Sequence, residues 1–328
     1  MLNTTGNTLC IIASPFQCLC MLEALDYFKI KSYDVLIGYQ DNLSITKIES
    51  LLDKRHIKYF KERTAHVLYD ILPLRKKIKK RYTNFIIGDF ENQEGFSLAC
   101  LLAERNATIC YIDDGAQAYR YFSVPPVRIK YKMSVSIVFK LYALVGKIKR
   151  IKKPIYFTIY DVKSNEYKII KNELTLLKSA NQNELAGAFI IGTNSSSLEF
   201  LGHSYYDYLY KLFDLIKNNY KIEPIYYCLH RRDLNKKAII DFCNKNEIKV
   251  FDSEISVEYD FINKGLTPRL IIGFNSNALY TLHIIYPDAI CQTVGFHLNN
   301  KEKDRRNLYL ADKLQNNGIE IIDVFGDY

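Results

Sequence analysis

The 328 residues of the chain are enough for two domains of ordinary size, and 48% of them are hydrophobic and 25% charged. Glycine and proline contribute only 14 and 8 residues, a composition typical of soluble globular proteins that excludes a disordered or collagen-like chain. The formal net charge of +9 favours acidic ligands or an anionic membrane surface, but it is too diffuse to indicate nucleic acid as a partner.

The N-terminus and the cysteines bear on the cellular compartment. Residues 1–7 carry no basic leader ahead of the first apolar run, so a secretory signal is not predicted and we expect a cytoplasmic protein. The eight cysteines are scattered, mostly within apolar runs, without the paired spacing of a zinc site or a redox motif. We therefore expect buried free thiols.

The first predicted strand, residues 8–13, runs directly into Ser14-Pro15-Phe16-Gln17. A serine at the N-cap with proline at the first helical position predicts a helix start. The first N–H groups of a helix have no partner within the helix. Since this strand runs directly into the helix, these donors are left facing the cleft at the end of the strand. Ser14, Pro15 and Gln17 are therefore candidates for the ligand side of this domain. Helix capping alone is the alternative for Ser14.

Further strands are predicted at 33–38, 58–60 and 84–87, with helices at 44–54 and up to Arg105. The alternation of strands and helices predicts a parallel, doubly wound sheet. The strand at 84–87 ends in Gly88-Asp89-Phe90-Glu91, so Asp89 and Glu91 are candidates for recognising sugar hydroxyls, or they are ordinary loop acids.

The next apolar run, 107–112, ends in Asp113-Asp114-Gly115. Side chains alternate between the two faces of a strand, so two adjacent carboxylates point in different directions unless a turn starts between them. One carboxylate could then face a substrate while the other braces the loop. The alternative is a simple turn, in which aspartates bond nearby N–H groups and Gly115 supplies a positive φ.

Two segments concentrate the positive charge, 74–81 and Lys147–Lys153. The second follows an apolar stretch at 134–145, and the two together predict a basic amphipathic helix on an anionic membrane surface. That stretch is too short to span a bilayer. An ordinary core-facing helix with a solvated basic end is the alternative.

The junction between the two halves is predicted in the lysine-rich residues 154–183, with a hairpin formed by 156–160 and 167–170. We expect an N-terminal domain at 1–160, a linker at 161–184 and a C-terminal domain at 185–328. The second half repeats the alternation of strands and helices. Its predicted strands are 188–192, 224–228, 248–251, 270–273 and 289–291, and its predicted helices are 205–217, 234–246 and 277–285.

Three strand exits in the second half carry polar side chains that could hold a nucleotide phosphate. The first, Gly192-Thr193-Asn194, offers hydroxyl and amide groups, and the second, His230-Arg231-Arg232, offers N–H donors and positive charge. The third, Asn275-Ser276-Asn277, opens a helix, where phosphate binds well and where serine or asparagine is also the commonest cap.

The ordered set of these motifs resembles bacterial sialyltransferases, in particular the group of lipooligosaccharide sialyltransferases and capsule polysialyltransferases. The resemblance spans most of the chain as short spaced motifs. It implies the α/β fold called GT-B, in which two Rossmann-like domains with parallel sheets face each other across a cleft. It also implies an inverting transferase that uses CMP-Neu5Ac.

The resemblance implies a role for each matching residue. The carboxylate of the acid-acid-Gly motif activates the acceptor hydroxyl and corresponds to Asp113 or Asp114, of which we favour Asp114. The histidine that assists departure of CMP corresponds to His230, although Arg231 stands where the family has proline. The Ser-Ser/Thr pair that holds the donor phosphate corresponds to Ser276 and Asn277, so the second hydroxyl is missing here.

Three further expectations complete this hypothesis. Glu258 resembles the acid that holds the donor ribose. CMP leaves as a monophosphate, so a histidine proton and hydrogen bonds can replace a metal, and we expect neither a metal ion nor another cofactor. The expected partners are a nucleotide-sugar donor and a glycan or glycolipid acceptor. A same-fold transferase with another donor and a non-catalytic glycan- or nucleotide-binding protein are the alternatives.

Overall fold

The computed structural model describes residues 2–39, 42–63, 78–88, 98–99, 102–114, 154–165, 167–179, 187–230, 233–326 and 328. The chain divides into two compact units, Met1–Leu176 and Leu177–Tyr328. Several sequence-derived candidates lie outside the described residues: Asp89, Glu91, Gly115, Arg231, Arg232, the apolar stretch 134–145, the basic segment Lys147–Lys153 and the first half, 74–77, of the basic segment 74–81. Within the described ranges, no helix has both the length and the apolar character needed to cross a bilayer.

The first unit contains a seven-stranded sheet in the order β3-β2-β1-β4-β5-β6-β7, and every neighbouring pair is parallel. Its strands are β1 (Thr8–Ile12), β2 (Tyr33–Tyr39), β3 (Tyr59–Arg63), β4 (Tyr82–Gly88), β5 (Ala103–Ile112), β6 (Ile155–Thr158) and β7 (Lys168–Lys171). The two full helices described are α1 (Pro15–Tyr27) and α2 (Asn42–Asp53). The predicted parallel sheet is therefore confirmed.

The central strands β1 and β4 are almost entirely buried, because both faces of the sheet are covered. Every residue of β1 is buried, and Leu9, Ile12, Phe85 and Ile86 have no exposed surface. Burying a side chain of this size contributes about 1.5–3 kcal/mol relative to leaving it exposed. The apolar centre gives a rigid base from which the polar strand ends project.

Two sequence predictions in this unit were wrong. The predicted hairpin is a parallel pair, β6 with β7, so the chain returns to the starting end of the sheet between these two strands. The predicted helix up to Arg105 ends earlier, since β5 already begins at Ala103, which pairs with Tyr82. Pairing with β4 outweighs the helical preference of these residues.

The boundary between the units, after Leu176, falls inside the predicted linker 161–184. Part of that segment is regular structure, since β7 is the edge strand of the first sheet and helix α3 (Thr175–Ser179) follows it. Pairing with β6 recruits β7 to the sheet, although its own sequence, Lys-Ile-Ile-Lys, is only half apolar.

The second unit contains a six-stranded sheet in the order β10-β9-β8-β11-β12-β13, again parallel throughout. Its strands are β8 (Ala188–Ile191), β9 (Ile225–Cys228), β10 (Lys249–Phe251), β11 (Leu270–Gly273), β12 (Ile290–Val294) and β13 (Glu320–Ile322). Its helices are α4 (Tyr205–Leu215), α5 (Lys236–Lys245), α6 (Val257–Asn263), α7 (Asn277–Ile285) and α8 (Lys301–Gln315).

Local capping signals explain where these helices begin. Ser204 and Asp207 form a capping box at α4, and Ser256 and Ser276 cap α6 and α7 through their side chains. The core beneath them is rich in aromatic rings, among which Tyr208, Phe274 and Phe296 pack together, each nearly fully buried. Helices α6 and α8 and strand β13 were not predicted from the sequence.

Candidate functional site

The carboxyl ends of β1, β4, β5 and β6 lie side by side at one edge of the first sheet, because these strands are neighbours and parallel. Ligands of open α/β sheets bind at such an edge. The residues that leave the strands here include Ser14, Gly88, Asp113 and Asp114. The predicted candidates from distant parts of the first half are thus brought together.

The Ser14-Pro15-Phe16-Gln17 segment forms the start of α1. Ser14 is the N-cap, with its Oγ accepting a hydrogen bond from the Gln17 backbone N–H at 3.2 Å, and Pro15 occupies the first helical position. The Gln17 side chain is only 3% exposed, and its Oε1 accepts from the Ala13 N–H at 2.6 Å. Gln17 therefore stabilises the strand-to-helix turn.

Gly88, at the end of β4, lies directly against Gln17. A Cβ at position 88 would stand 2.2 Å from Gln17 Oε1, closer than two non-bonded atoms can approach. A glycine is therefore needed for β4 and the start of α1 to lie this close. The reason is the absence of a side chain, not an unusual backbone conformation.

Asp113 is buried, with 1% of its surface exposed, and its carboxylate accepts three hydrogen bonds. The Tyr156 and Thr158 hydroxyls donate to Oδ1 at 2.5 and 2.7 Å, and the Ile159 N–H donates to Oδ2 at 2.7 Å. Burial raises the pKa of Asp113 from 3.8 to about 6, and the three hydrogen bonds oppose that rise. Asp113 thus ties the exit of β5 to the exit of β6.

Asp114 is partly exposed and faces a different environment. Its Oδ1 accepts a hydrogen bond from the Ser14 hydroxyl at 3.0 Å. The two adjacent carboxylates therefore differ as strand alternation predicts: one is enclosed by its neighbours and the other remains open to a substrate. Of the two, Asp114 has the accessibility that a general base requires.

In the second unit, β9, β8, β11 and β12 are consecutive parallel neighbours, so their carboxyl ends form a second polar edge. Gly192 follows β8, and its backbone N–H donates to the Cys228 carbonyl at 3.0 Å. A Cβ at Gly192 would lie 2.4 Å from the Tyr227 hydroxyl and 2.6 Å from the Cys228 carbonyl oxygen. Gly192 is therefore required by close packing.

The loop after Gly192 turns back on itself. The Thr193 carbonyl accepts from the Ser195 N–H at 2.9 Å, and Asn194 Oδ1 accepts from the Ser196 hydroxyl at 2.7 Å. Thr193 and Asn194 are both partly exposed. Their polar groups stand at the sheet edge where a ligand could reach them.

Asp233 connects this loop to the loop that carries His230. It is 4% exposed, and its carboxylate accepts from the Ser195 N–H at 3.0 Å and from the Asn235 N–H at 2.9 Å. The Asp233 N–H donates to the His230 carbonyl at 3.1 Å. Sequence reasoning missed this residue. Its signal is a recognisable one, since an aspartate side chain often accepts a hydrogen bond from the backbone N–H two residues further along the chain and so forms a turn.

His230 itself is partly exposed, directly after the buried pair Cys228 and Leu229. The structure therefore places His230 at the carboxyl edge of the sheet, with its carbonyl in the turn held by Asp233. An imidazole in this position can donate a proton to a ligand at the strand ends.

Asn275 is committed to the fold of the second unit. Its φ of 45° is left-handed, a conformation that asparagine tolerates, and its side chain is 7% exposed. Its N–H donates to the Thr293 hydroxyl at 2.9 Å, and its Oδ1 accepts from that hydroxyl at 2.7 Å. Its Nδ2 donates to Asn307 Oδ1 at 2.6 Å. Asn275 thus links the exit of β11 to β12 and to α8.

Ser276 and Asn277 open helix α7, and both are partly exposed. The Ser276 Oγ accepts from the Ala278 N–H at 3.3 Å. Asn277 Oδ1 is buried and accepts no hydrogen bond from the described residues. The first N–H groups of a helix are unsatisfied within it, so an anionic group is stabilised at this end.

Glu258 lies in the first turn of α6 and is 7% exposed. It is close enough to Tyr286 to act on its ionisation: burial raises the pKa of Tyr286, and the negative charge of Glu258 adds to the rise. The structure thus gives Glu258 a protected position.

No protein-family model and no curated protein sequence matches the chain. Solved structures do match. An α/β-galactoside α-2,3-sialyltransferase from Photobacterium phosphoreum superposes with a TM-score of 0.55 at 14% identity, covering 96% of this chain and 98% of that one. A 2,6-sialyltransferase from Photobacterium sp. JT-ISH-224 gives 0.52 at 12% identity, covering 97% and 78%.

A third match belongs to another class of enzyme. The UDP-GlcNAc 2-epimerase from Methanocaldococcus jannaschii gives a TM-score of 0.53 at 12% identity, covering 97% of this chain and 89% of that chain. Likeness at this level of identity establishes the fold and leaves the reaction open. The chain has the α/β GT-B fold with two Rossmann-like domains, and the fold prediction is confirmed.

Proposed function

We propose that the protein is an inverting, metal-independent glycosyltransferase that moves sialic acid from CMP-Neu5Ac to a galactose-terminated acceptor. The acceptor would belong to a bacterial surface polysaccharide: lipooligosaccharide, O-antigen or capsule. The observation that carries the proposal is Asp114, a partly exposed carboxylate held by Ser14 at the carboxyl edge of the first sheet. The enclosed neighbour Asp113 leaves Asp114 as the base.

The proposed reaction is a single displacement. Asp114 takes the proton of the acceptor hydroxyl, and the hydroxyl oxygen forms a bond to the anomeric carbon of the donor. The bond from that carbon to the phosphate oxygen breaks, and His230 gives a proton to the departing CMP. Attack opposite to the leaving group inverts the anomeric configuration.

The donor-binding groups come from the second unit in this proposal. The N–H groups at the start of α7, with Ser276 and Asn277, hold the phosphate, and Glu258 holds the ribose. Arg231 and Arg232 would steady the phosphate charge, and Gly192, Thr193 and Asn194 line the neighbouring strand exit. Asn275 stabilises the loop that precedes Ser276 and Asn277, because its side chain is hydrogen-bonded to Thr293 and Asn307.

The solved structures support the substrate classes. The similar enzyme from Photobacterium sp. JT-ISH-224 was solved with CMP as donor product and lactose as acceptor substrate. Lactose ends in galactose, so a galactose-terminated acceptor is the first to test. The location in the cytoplasm, with contact of Lys147–Lys153 to the inner membrane, remains a prediction from the sequence.

The test is release of CMP from CMP-Neu5Ac by the purified protein, with and without galactose-terminated acceptors and with EDTA present. We expect acceptor-stimulated, EDTA-resistant release. Asp114→Ala and His230→Ala should each reduce the rate about 100- to 10,000-fold, the usual contribution of a general base or acid. Circular dichroism must show both variants folded, and near-normal rates in either would contradict its role.

The main rival is a transferase of the same fold that uses another donor. The epimerase match favours a UDP-sugar as that donor. The other candidate donors are CMP-Kdo, another CMP-nonulosonate and a GDP-hexose. Thermal shift with each nucleotide separates these donors, because a ligand that binds only the folded state raises the melting temperature. A non-catalytic glycan- or nucleotide-binding protein would show stabilisation without turnover.

A further inference from the structure

The strand-to-helix turn at α1 bears directly on Asp114. Ser14 Oγ stands 3.0 Å from Asp114 Oδ1 and 3.2 Å from the Gln17 N–H. An N–H can only donate and an ionised carboxylate can only accept, so the hydroxyl accepts from Gln17 and donates its proton to Asp114. Both hydrogen-bonding capacities of Ser14 are therefore directed by its neighbours.

Ser14 is itself held in place. Pro15 restricts the backbone at the first helical position, and the Ser14 carbonyl accepts from the Cys18 N–H at 3.0 Å. The Gln17 side chain closes the turn on the Ala13 N–H at 2.6 Å, and Gly88 allows β4 to lie against it. The hydroxyl thus projects from a rigid element.

The other side of Asp114 is equally restrained. Its chain neighbour Asp113 is anchored to Tyr156, Thr158 and Ile159. Among the described residues, the hydrogen bond to the Asp114 carboxylate comes from Ser14 and engages Oδ1. Within the described part of the chain, Oδ2 is the oxygen that a substrate hydroxyl can approach.

We propose that Ser14 is a positioning residue that orients the Asp114 carboxylate for proton abstraction. This inference rests on the proposed function, which supplies the role of Asp114. It gives the Ser14-Pro15-Phe16-Gln17 segment a task beyond starting a helix: it presents one hydroxyl to the catalytic base, and the conformation of the segment fixes where that hydroxyl stands.

The kinetic test compares Ser14→Ala and Ser14→Thr in acceptor-stimulated CMP release. Ser14→Ala should lower kcat about 10- to 100-fold, the scale of a misplaced catalytic group, with KM values changed far less. Ser14→Thr keeps the hydroxyl and a good cap, and should restore most of the rate.

A matched control separates positioning from capping. Ser204→Ala removes the N-cap of α4 in the second unit, where the cap's partner is Asp207. Each alanine variant should lower the melting temperature by about 2–4 °C, the shift expected for loss of one cap in a domain of this size. Only Ser14→Ala should lose kcat. A wild-type kcat in folded Ser14→Ala would overturn the inference.

A stability cycle tests the contact without relying on activity. The melting temperatures of Ser14→Ala, Asp114→Ala and the double variant should not be additive, since residues in contact share part of the loss. Additive shifts would overturn the inference. If the wild-type protein releases no CMP from any donor, the proposed function fails. In that case a non-additive cycle still supports the coupling of Ser14 to Asp114.

Discussion

The two adjacent aspartates show how burial among hydrogen-bond donors changes the pKa of a carboxyl group. Asp113 and Asp114 are identical side chains, yet only Asp113 is enclosed by Tyr156, Thr158 and Ile159 from the neighbouring strand and its exit. Enclosure raises the pKa of Asp113 to about 6, because desolvation outweighs the three donated hydrogen bonds. A residue bound in this way stabilises the site by joining two strand exits.

This environment predicts a pH dependence of stability. The pKa of Asp113 is raised from 3.8 to about 6 on folding, so its contribution is fully present below about pH 4 and is lost as the pH rises through about 6. The difference of about two units corresponds to about 3 kcal/mol. Asparagine does not titrate, so the stability of Asp113→Asn lacks this pH dependence. The free energy of unfolding of the wild type should therefore rise relative to that of the variant as the pH falls from 7 to 4.

Urea midpoints at pH 7, 5.5 and 4 measure this difference. At pH 7 we expect Asp113→Asn to be less stable by about 1–3 kcal/mol, because an amide N–H₂ would face the Ile159 N–H or the hydroxyl donors. Tyr156→Phe keeps the carboxyl and removes the hydrogen bond that most lowers its pKa, so its pH window should move upward. A difference between wild type and Asp113→Asn that does not change with pH would contradict the raised pKa.

At the scale of elements, loops are held in register by buried polar side chains from neighbouring strand exits. Asp233 joins the β8 exit to the β9 exit, and Asn275 joins the β11 exit to α8. The carboxylate of Asp233 accepts from backbone N–H groups of both loops, and the amide of Asn275 bonds the Thr293 hydroxyl and the Asn307 side chain. These residues give the candidate donor-binding loops a defined geometry.

Asp233→Ala should destabilise the second unit and weaken nucleotide binding. It removes the side-chain acceptor of the Asn235 N–H and one of the two acceptors of the Ser195 N–H, and hydrogen bonds of this kind contribute about 0.5–1.5 kcal/mol each. Asp241→Ala is the matched control, since it removes an exposed acid from α5 in the same unit. The urea midpoints of the two variants measure the loss of stability, and calorimetry with CMP measures the loss of nucleotide affinity. A wild-type midpoint and affinity in Asp233→Ala would contradict the role.

At the scale of the whole molecule, the two compact units predict a division of labour. Nucleotide should protect the second unit, Leu177–Tyr328, against amide hydrogen exchange, with the first unit little changed. The protected amides should include residues 192–195 and 276–278, at the ends of β8 and β11. Cytidine, which lacks the phosphate, should protect 276–278 less than CMP does. Protection by CMP confined to the first unit would contradict the assignment.

Much of the fold was predictable because its signals are local. Ser14 and Pro15 start α1, and α7 begins and ends at the predicted residues, since capping and apolar runs depend on neighbours in sequence. The pairing of β6 with β7 was not predictable in the same way, because a short apolar run does not reveal its partner or direction. For the same reason β13, only three residues long, was missed.

The sequence by itself determined the alternation that gives two Rossmann-like domains and the positions of the polar strand ends. Only the tertiary structure decided which of Asp113 and Asp114 is enclosed, because the donors come from residues 43 to 46 positions away. The contact between Ser14 and Asp114, 100 positions apart, arises from the neighbouring exits of parallel strands. Chemistry at this site depends on distances across the sheet, which periodicity along the chain does not encode.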